Sequence, residues 1–204
     1  MQKMYTIKNI QTSICIEELF GMPAVGKSSW VEANRTESHY IKVNEMLPIN
    51  PLKRNFIKIK KIFSYTILHP RTLFYDSWLI LNSRQKTLKD LLIVWSNWFF
   101  VLSLYSSCSN GKYTYIFDQG MFQALWSIRL SAKEEIDFKK FIKDKYLPGK
   151  IFFLDEDESI LRQRESTRAK NIRLNYCIKS DIQLGRKTLN DVMEVIEQKY
   201  KLVE

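Results

Sequence analysis

The sequence predicts an α/β domain with a mostly parallel central sheet and helices on both faces. Three observations predict it. Short apolar stretches alternate with longer segments of helical periodicity, a glycine-containing turn follows the first apolar stretch, and Asn110-Gly111 precedes another. Strands separated by helical segments form βαβ units, whose crossovers make neighbouring strands parallel and cover the sheet.

The composition is that of one globular domain over residues 1–204. No repeat, charge block or Ser/Gly linker divides the chain. Hydrophobic residues make up 45% and Gly and Pro number only 6 and 5, which excludes disordered and collagen-like classes. The 32 Lys and Arg against 22 Asp and Glu give a net charge of +10. That charge predicts an anionic partner: a nucleic acid, a membrane surface or a phosphorylated small molecule.

Cysteine usage and hydropathy predict a cytoplasmic protein. Cys15, Cys108 and Cys177 form neither a CxxC pattern nor a disulfide framework, which favours a reducing compartment. Residues 1–13 lack the apolar core and cleavage site of a signal peptide. Residues 91–104 are the most membrane-like stretch, but a spanning helix needs about 20 apolar residues. We therefore expect a buried core helix there and no membrane span.

In the first half of the chain, apolar runs and turn residues mark each element. The predicted elements are a buried strand over residues 13–20 that leads to Gly21, a helix over 27–34, a strand over 39–43, and a loop at Pro48 and Pro51. Apolar residues then recur at helical spacing, with basic residues around them: Leu52, Phe56, Ile59 and Phe63, with Lys53, Arg54, Lys58, Lys60 and Lys61. Two or more helices rich in Trp and Phe are expected between Pro70 and Ser109.

The second half begins with KYTYIF, residues 112–117, whose alternation predicts a strand. Pro148-Gly149 then separates a helical stretch from the next apolar strand. The remaining predicted elements are a helix over 121–146, a strand over 151–154, an Arg-rich helix from about Ser159 that Gly185 closes, a last helix opened by Thr188 and Asp191, and a short strand over 201–203.

The most specific motif is GMPAVGKS, residues 21–28, which matches GxxxxGK[ST] between a predicted strand and a predicted helix. Its glycines let successive backbone N–H groups point at phosphate oxygens, and the helix N-terminus adds positive potential. Lys27 is expected to reach the β- and γ-phosphates, Ser28 to ligate Mg²⁺ and Ser29 to bond a further phosphate. The alternative is an accidental glycine turn. The predicted phosphate-binding residues are Gly21, Met22, Pro23, Ala24, Val25, Gly26, Lys27, Ser28 and Ser29.

Two further sites carry charge that suits a nucleoside triphosphate. Asp118 ends an apolar strand, where an acid can hold Mg²⁺ or its water; the alternative is a helix cap. Arg164 and Arg168 share one helix face, with Arg162 beside it, and can neutralise a transferring phosphoryl group. The alternative for these arginines is a solvated face paired with Glu158 and Glu165.

Together these motifs resemble those of P-loop nucleoside and nucleotide kinases. Residues 16–28 are similar to the first strand and loop of thymidylate-kinase-like proteins, residues 161–168 resemble their mobile lid, and residues 116–128 are similar to a bacterial branch of P-loop proteins. The resemblance implies a P-loop three-layer sandwich with a helical acceptor-side region at 52–109 and a lid-like segment at 159–184.

The sequence departs from that group at two places. Ala24 stands where the group usually has glycine, and Asp118-Gln119 replaces an acidic-Arg pair. Glu45 follows the second strand, where related kinases place an acid, and is a candidate general base toward an acceptor hydroxyl; the alternative is a solvated loop glutamate.

The resemblance implies an ATP-dependent phosphotransferase that uses ATP and Mg²⁺ and acts on a nucleotide, a nucleoside or a similar small molecule. A homodimer is compatible with this class. The basic residues at 53–61 keep an NTPase or a polynucleotide 5′-hydroxyl kinase as an alternative, and a nucleotide-binding protein without turnover is a third. Candidates for acceptor binding are His69, Arg71, Tyr75, Trp78 and Arg84, whereas Trp95, Trp98, Phe99 and Phe100 are expected in the core.

Overall fold

The computed structural model describes residues 2–7, 15–34, 40–109, 113–167, 174 and 178–203. Arg168, Cys177 and the predicted strand ends at residues 13–14, 39 and 112 lie outside them. The elements, in order, are β1 (Gln2–Ile7), β2 (Ile16–Gly21), α1 (Lys27–Asn34), β3 (Tyr40–Lys42), a 3₁₀ helix (Val43–Met46), α2 (Pro51–Leu68), α3 (Pro70–Asn82), α4 (Leu88–Cys108), β4 (Thr114–Phe117), α5 (Met121–Ser131), α6 (Phe138–Ile142), β5 (Lys150–Leu154), α7 (Glu158–Ser166), α8 (Lys179–Lys199) and β6 (Tyr200–Val203). The predicted α/β class is confirmed.

The six-stranded sheet is mixed, with strand order β3-β4-β2-β5-β1-β6. β3, β4, β2 and β5 are parallel neighbours. β1 is antiparallel to both β5 and β6. The expectation of a mostly parallel sheet is therefore met in part: three of the five strand pairings are parallel, and both antiparallel pairings involve β1. It missed β1 because residues 2–7 carry no apolar run, and their strand forms through pairing with two neighbours that are distant in sequence.

Helices lie on both faces of the sheet. Trp30 of α1 packs on Phe152 of β5, with ring centroids 4.5 Å apart. Ile151, the residue before Phe152 in β5, pairs with Glu18 of β2. Glu18 in turn contacts Tyr105 of α4. Since successive strand residues point to opposite faces, α1 and α4 cover different sides. Coverage on both sides explains why all six residues of β2 are buried.

Helix α4 lies within the helical region that was predicted over residues 52–109. Trp98 and Phe99 are fully buried, and Trp95 and Phe100 pack against the core, as expected. The helix has 21 residues and is the one described helix that is long and apolar enough to cross a membrane, with 50% of its apolar window buried. A core helix passes the same test of length and composition, so this finding does not place α4 in a membrane.

The stretch 121–146 contains two helices, α5 and α6, rather than the single helix that was predicted. The backbone becomes extended at Ala132, where α5 ends. Asp137 then begins α6, because its side chain accepts a hydrogen bond from the Lys139 backbone N–H at 3.0 Å. A local cap therefore interrupts a stretch whose overall composition favours one helix.

Gly185 does not close a segment, because α8 passes through it. A Cβ at this position would lie 2.8 Å from Leu174 Cδ1 and 3.0 Å from Met22 Cε. Glycine here allows α8 to lie close to the loop that follows β2. The prediction of a helix stop was wrong because it treated a packing glycine as a boundary.

Candidate phosphate-binding loop and adjoining cavity

The loop between β2 and α1 needs glycine at both defined positions of its motif. Gly26 has a φ of 100° and Ala24 a φ of 67°, in the left-handed region that disfavours residues with a Cβ. Gly21 lies against β5, where a Cβ would collide with the Leu154 carbonyl oxygen. Ala24 therefore carries backbone strain that glycine would avoid.

The Lys27 side chain folds back over this loop. Its Nζ donates to the carbonyl oxygens of Gly21 at 2.8 Å and Met22 at 3.1 Å. Ser28 and Ser29 are exposed in the first turn of α1. The ammonium, two hydroxyls and the N-terminal end of α1 thus lie around one loop, as an anion site requires.

Arg164 is the arginine of α7 that reaches the loop. Its Nη1 donates to the Val25 carbonyl oxygen at 3.0 Å, and its Nη2 lies 3.1 Å from Glu156 Oε2. Arg162 pairs instead with Glu158, with Nε 3.0 Å from Oε1. The structure therefore brings Arg164 and not Arg162 to the loop.

Asp118 lies at the same edge of the sheet as the loop. β2 and β4 are parallel neighbours with Glu18 opposite Phe117, so both strands direct their C-terminal ends to one edge, where open α/β sheets bind ligands. Asn44 Nδ2 donates to Asp118 Oδ1 at 2.6 Å, and Asn44 Oδ1 accepts from Arg54 Nη2 at 3.3 Å. Asn44 thus links the carboxylate to a cation of α2.

Glu45, the candidate general base, lies away from the cavity beside Asp118. The residue is exposed on the 3₁₀ helix and does not line the cavity beside Asp118. Its neighbour Asn44 turns toward Asp118 instead. One position along a short helix decides which of the two side chains reaches the site.

A cavity of about 220 Å³ opens beside Asp118. Its walls come from the 3₁₀ helix, α2, α4, α5 and the turn after β4. Residues with side chains suited to polar or aromatic contact with a ligand include Asn44, Arg54, Lys58, Asn97, Phe100 and Gln123.

Two cations face this cavity with no acidic partner. Within the described ranges, neither Arg54 nor Lys58 forms a salt bridge. Lys58 Nζ donates to Asn97 Oδ1 at 2.6 Å and lies 5.4 Å from the Phe100 ring centroid. Burial, and then the charge of Arg54, lower the pKa of Lys58. An anion in the cavity would relieve that repulsion, so this wall favours a negatively charged ligand.

Gln123 offers a hydrogen-bond acceptor to the same cavity. Its Oε1 is buried and has no hydrogen-bond partner among the residues described. Buried polar atoms are nearly always hydrogen-bonded, so a ligand N–H or O–H is a suitable partner for this oxygen. The cavity therefore combines cations on α2 with an acceptor on α5.

A buried carboxylate behind the cavity joins β2 to α5. Tyr105 Oη donates to Glu18 Oε2 at 2.7 Å, and the Gln123 backbone N–H donates to Oε1 at 3.1 Å. Burial raises the pKa of Glu18 to about 7, although these hydrogen bonds lower it. The carboxyl group fills the space that a Cβ at Gly120 would occupy. Glu18 thus sets the start of α5, and the turn at 118–120, against the strand that enters the loop.

The residues at this edge fit a magnesium ion held mainly by phosphate oxygens. In the part of the chain that the structure describes, no cluster of three His, Cys, Asp or Glu could hold a metal ion alone. Ser28 and Asp118 supply one hydroxyl and one carboxylate. Mg²⁺ in phosphate-transfer sites needs only one or two protein carboxylates beside phosphates and water.

Sequence reasoning missed most of the cavity. Asn44, Asn97 and Gln123 belong to three elements that meet only in the fold, and no motif marks them. The signals for Arg54 and Lys58 were the basic stretch at 53–61 and the acceptor-side region at 52–109 that the resemblance implies. The residues expected to bind an acceptor do not line this cavity: His69, Arg71, Tyr75, Trp78 and Arg84.

Comparisons of the chain with protein-family models, curated proteins and solved structures find no match. Fold and site therefore define the class on their own. It is an α/β protein with a glycine-bounded loop between a strand and a helix, an acid directly after the neighbouring strand, and a cation-lined cavity beside that acid.

Proposed function

We propose that the chain is an ATP-dependent phosphotransferase of the P-loop type, which holds Mg-ATP on residues 21–29 and an anionic acceptor in the adjoining cavity. One observation carries the proposal: the strands that deliver the Lys27 loop and Asp118 are parallel neighbours, and the cation-lined cavity opens beside Asp118. A donor side and an acceptor side thus meet at one sheet edge.

The donor side supplies charge and position. Lys27 and Arg164 contact carbonyl oxygens of the loop. When ATP binds, both side chains leave these carbonyls and bind oxygens of the β- and γ-phosphates. The bond between the γ-phosphorus and the bridging oxygen breaks as an acceptor oxygen bonds to that phosphorus, and ADP leaves. Fixed cations lower this barrier by stabilising charge on the transferring group. Ser28 and Asp118 would hold Mg²⁺, which neutralises further phosphate charge.

The acceptor side favours a phosphorylated small molecule. Arg54 and Lys58 suit a phosphate group, and Gln123 Oε1 suits a ring N–H, so a nucleotide satisfies both. An ionised phosphate oxygen attacks without losing a proton. This chemistry requires no general base, in keeping with the exposed position of Glu45.

The basic residues of α2 favour a small anion over a polynucleotide. Arg54 and Lys58 line the cavity, and Lys61 Nζ donates to Ser107 Oγ of α4 at 3.3 Å. Lys53 and Lys60 are exposed and lie outside the cavity, and Arg54, although exposed, lines it. The charge is thus divided between faces of the helix instead of forming the continuous strip that a nucleic acid needs.

An acceptor screen tests the proposal. Labelled γ-phosphate of Mg-ATP is followed into nucleoside monophosphates, nucleosides, sugar phosphates and 5′-hydroxyl oligonucleotides. We expect transfer to a phosphorylated small molecule. Hydrolysis that is independent of every acceptor identifies an NTPase, transfer to oligonucleotide identifies a polynucleotide kinase, and tight ATP binding without product identifies a nucleotide-binding protein without turnover. Each of these three results contradicts the proposal.

A further inference from the structure

A second cavity, of about 430 Å³, opens between α2 and α4. Its volume falls within the range of about 300–1,000 Å³ that is usual for small-molecule sites. Side chains from residues 57–69 form one wall and side chains from residues 103–107 form the other. We call this cavity the α2–α4 groove.

The α2–α4 groove is separate from the cavity beside Asp118, because the two share no lining residue. On α4, the cavity beside Asp118 is lined by Asn97, Phe100, Val101 and Leu104, whereas the groove is lined by residues 103, 106 and 107. At 3.6 residues per turn, these two sets lie on helix faces roughly 100° apart. The groove is therefore a site of its own and not an extension of the acceptor side.

The α2 wall of the groove carries positive charge with no acid beside it. α2 contains five basic residues and no Asp or Glu. Lys60 and Lys61 line the groove, and Lys61 Nζ donates to Ser107 Oγ at 3.3 Å. Among the described residues, no Asp or Glu lines the groove and neither lysine forms a salt bridge. The groove therefore attracts an anion.

The α4 wall presents hydroxyl groups opposite these lysines. Ser103, Ser106 and Ser107 are three and four residues apart and so share one helix face, and Ser64 lies across from them on α2. Ser103 and Ser107 donate to carbonyl oxygens of α4. The hydroxyls of Ser64 and Ser106 form no hydrogen bond within the described part of the chain. These two hydroxyls can donate to a ligand oxygen, and together with ammonium groups they suit a phosphate.

The remaining lining is apolar and aromatic. Ile57 and Leu68 line the groove together with Tyr65 and His69, whose ring centroids are 4.4 Å apart. Burial raises the pKa of Tyr65 to about 12, so its hydroxyl stays neutral at pH 7 and does not reduce the positive charge of the groove. Aliphatic and aromatic side chains of this kind pack against the apolar body of a ligand.

We propose that the α2–α4 groove binds a small phosphorylated molecule with an aromatic or apolar body, the phosphate at the lysines and serines and the body against the apolar wall. Inorganic phosphate would leave the apolar wall in water, and an uncharged apolar molecule would leave both lysines without a counter-charge. A soluble ligand is favoured over a lipid headgroup because Ser106 is half-buried between two helices, where a phosphate at a bilayer surface would not reach it. The inference does not depend on the proposed phosphotransfer.

Isothermal titration calorimetry of the full chain with phenyl phosphate at low ionic strength tests the proposal. We expect a dissociation constant of about 1 mM or tighter, with inorganic phosphate and phenol each at least about tenfold weaker, because each offers only part of the contacts. Lys60→Gln combined with Lys61→Gln should weaken phenyl phosphate binding by about tenfold or more, because hydrogen bonds between charged groups are the strong ones.

Lys53→Gln combined with Lys89→Gln is the matched control. It removes the same charge from exposed positions on α2 and α4 that line neither cavity. Lys58→Ala, in the cavity beside Asp118, is the second control. Both proteins should bind phenyl phosphate within about twofold of wild type, because neither change touches the groove.

Four results would overturn the inference. The first is no binding at about 10 mM phenyl phosphate. The second is an equal loss in the two double variants, which would assign binding to general charge. The third is a loss in Lys58→Ala but not in the Lys60→Gln and Lys61→Gln pair, which would place the ligand beside Asp118. The fourth is flotation of wild type with phosphatidylcholine–phosphatidic acid vesicles, lost in the Lys60→Gln and Lys61→Gln pair, which would assign the groove to a lipid headgroup.

Discussion

At the scale of single residues, the loop between β2 and α1 depends on backbone angles that only some residues tolerate. Gly26 has a φ of 100°. The space beside it is open enough for a methyl group, since the nearest atom, Arg164 Nη1, would lie 3.5 Å from a Cβ. Strain rather than collision is therefore what restricts this position to glycine.

Gly26→Ala should lower the free energy of unfolding by about 1–3 kcal/mol, the cost of holding alanine at such angles. Urea denaturation monitored by tryptophan fluorescence measures it. Ala24→Gly is the control within the same loop and should stay within about 1 kcal/mol of wild type, because relief of strain is offset by the greater chain entropy of glycine when unfolded. Wild-type stability of Gly26→Ala would contradict this account of the loop.

The cavity cations give the second prediction at this scale. Lys58→Ala should raise the KM for the acceptor about 10- to 100-fold, because hydrogen bonds to charged groups contribute about 1.5–3 kcal/mol. The KM for ATP should change little. Steady-state kinetics with the acceptor from the screen measure both.

Lys53→Ala is the matched control, with the same charge removed from the exposed side of the same helix. It should leave both constants within about twofold, as expected for a solvated lysine. Equal effects of the two substitutions would show that α2 attracts the acceptor by its general charge and not through the cavity.

At the scale of elements, the contact between β2 and α5 rests on a carboxyl group withdrawn from water. The pKa of Glu18 rises from 4.5 to about 7 because of its burial. The folded chain therefore holds this proton more tightly than the unfolded chain. Stability from this group is fully present below pH 4.5 and is lost as the pH rises to about 7.

Glu18→Gln should remove that dependence, because a neutral amide does not titrate. The difference in unfolding free energy, wild type minus Glu18→Gln, should fall by up to about 3 kcal/mol between pH 4.5 and 7.5. Denaturant titrations across this range measure it, and parallel pH profiles of the two proteins would refute the assignment.

Tyr105→Phe provides an internal check on the same contact. The Tyr105 hydroxyl donates to Glu18 and lowers the pKa of that carboxyl group. Its removal should raise the pKa of Glu18 further. The pH above which the stabilisation by Glu18 is lost should then be higher than in wild type. The measurement compares the unfolding free energies of Tyr105→Phe and of Tyr105→Phe combined with Glu18→Gln across the same pH range.

At the scale of the whole molecule, the sequence predicted what is local and missed what the fold assembles. The strand, loop and helix around Lys27 follow one another along the chain, so composition and spacing suffice to predict them. β1 forms through pairing with β5 and β6, and Gly185 is explained by contacts with Leu174 and Met22. Except for Leu174, which is 11 residues from Gly185, these partners are distant in sequence.

The candidate site divides in the same way. The residues proposed for the donor side lie in one continuous motif, and Asp118 follows a strand, so the sequence marks both. The sequence marks the cavity only as the helical region 52–109, because Asn44, Lys58, Asn97 and Gln123 come from four elements that meet in the fold. The proposed function gives part of the net charge of +10 a local role, at Lys27 and Arg164 and at Arg54 and Lys58.

Transfer of γ-phosphate by wild type and Lys27→Ala, compared under the same Mg-ATP and acceptor conditions, tests the central claim most directly. The account predicts transfer to a phosphorylated acceptor by wild type and a loss of about 10³-fold or more in the variant, because phosphoryl transfer depends on fixed cations at the transferring group. Lys53→Ala serves as the charge-matched control and should transfer normally. A Lys27→Ala protein that is folded and transfers phosphate at the wild-type rate would contradict the account.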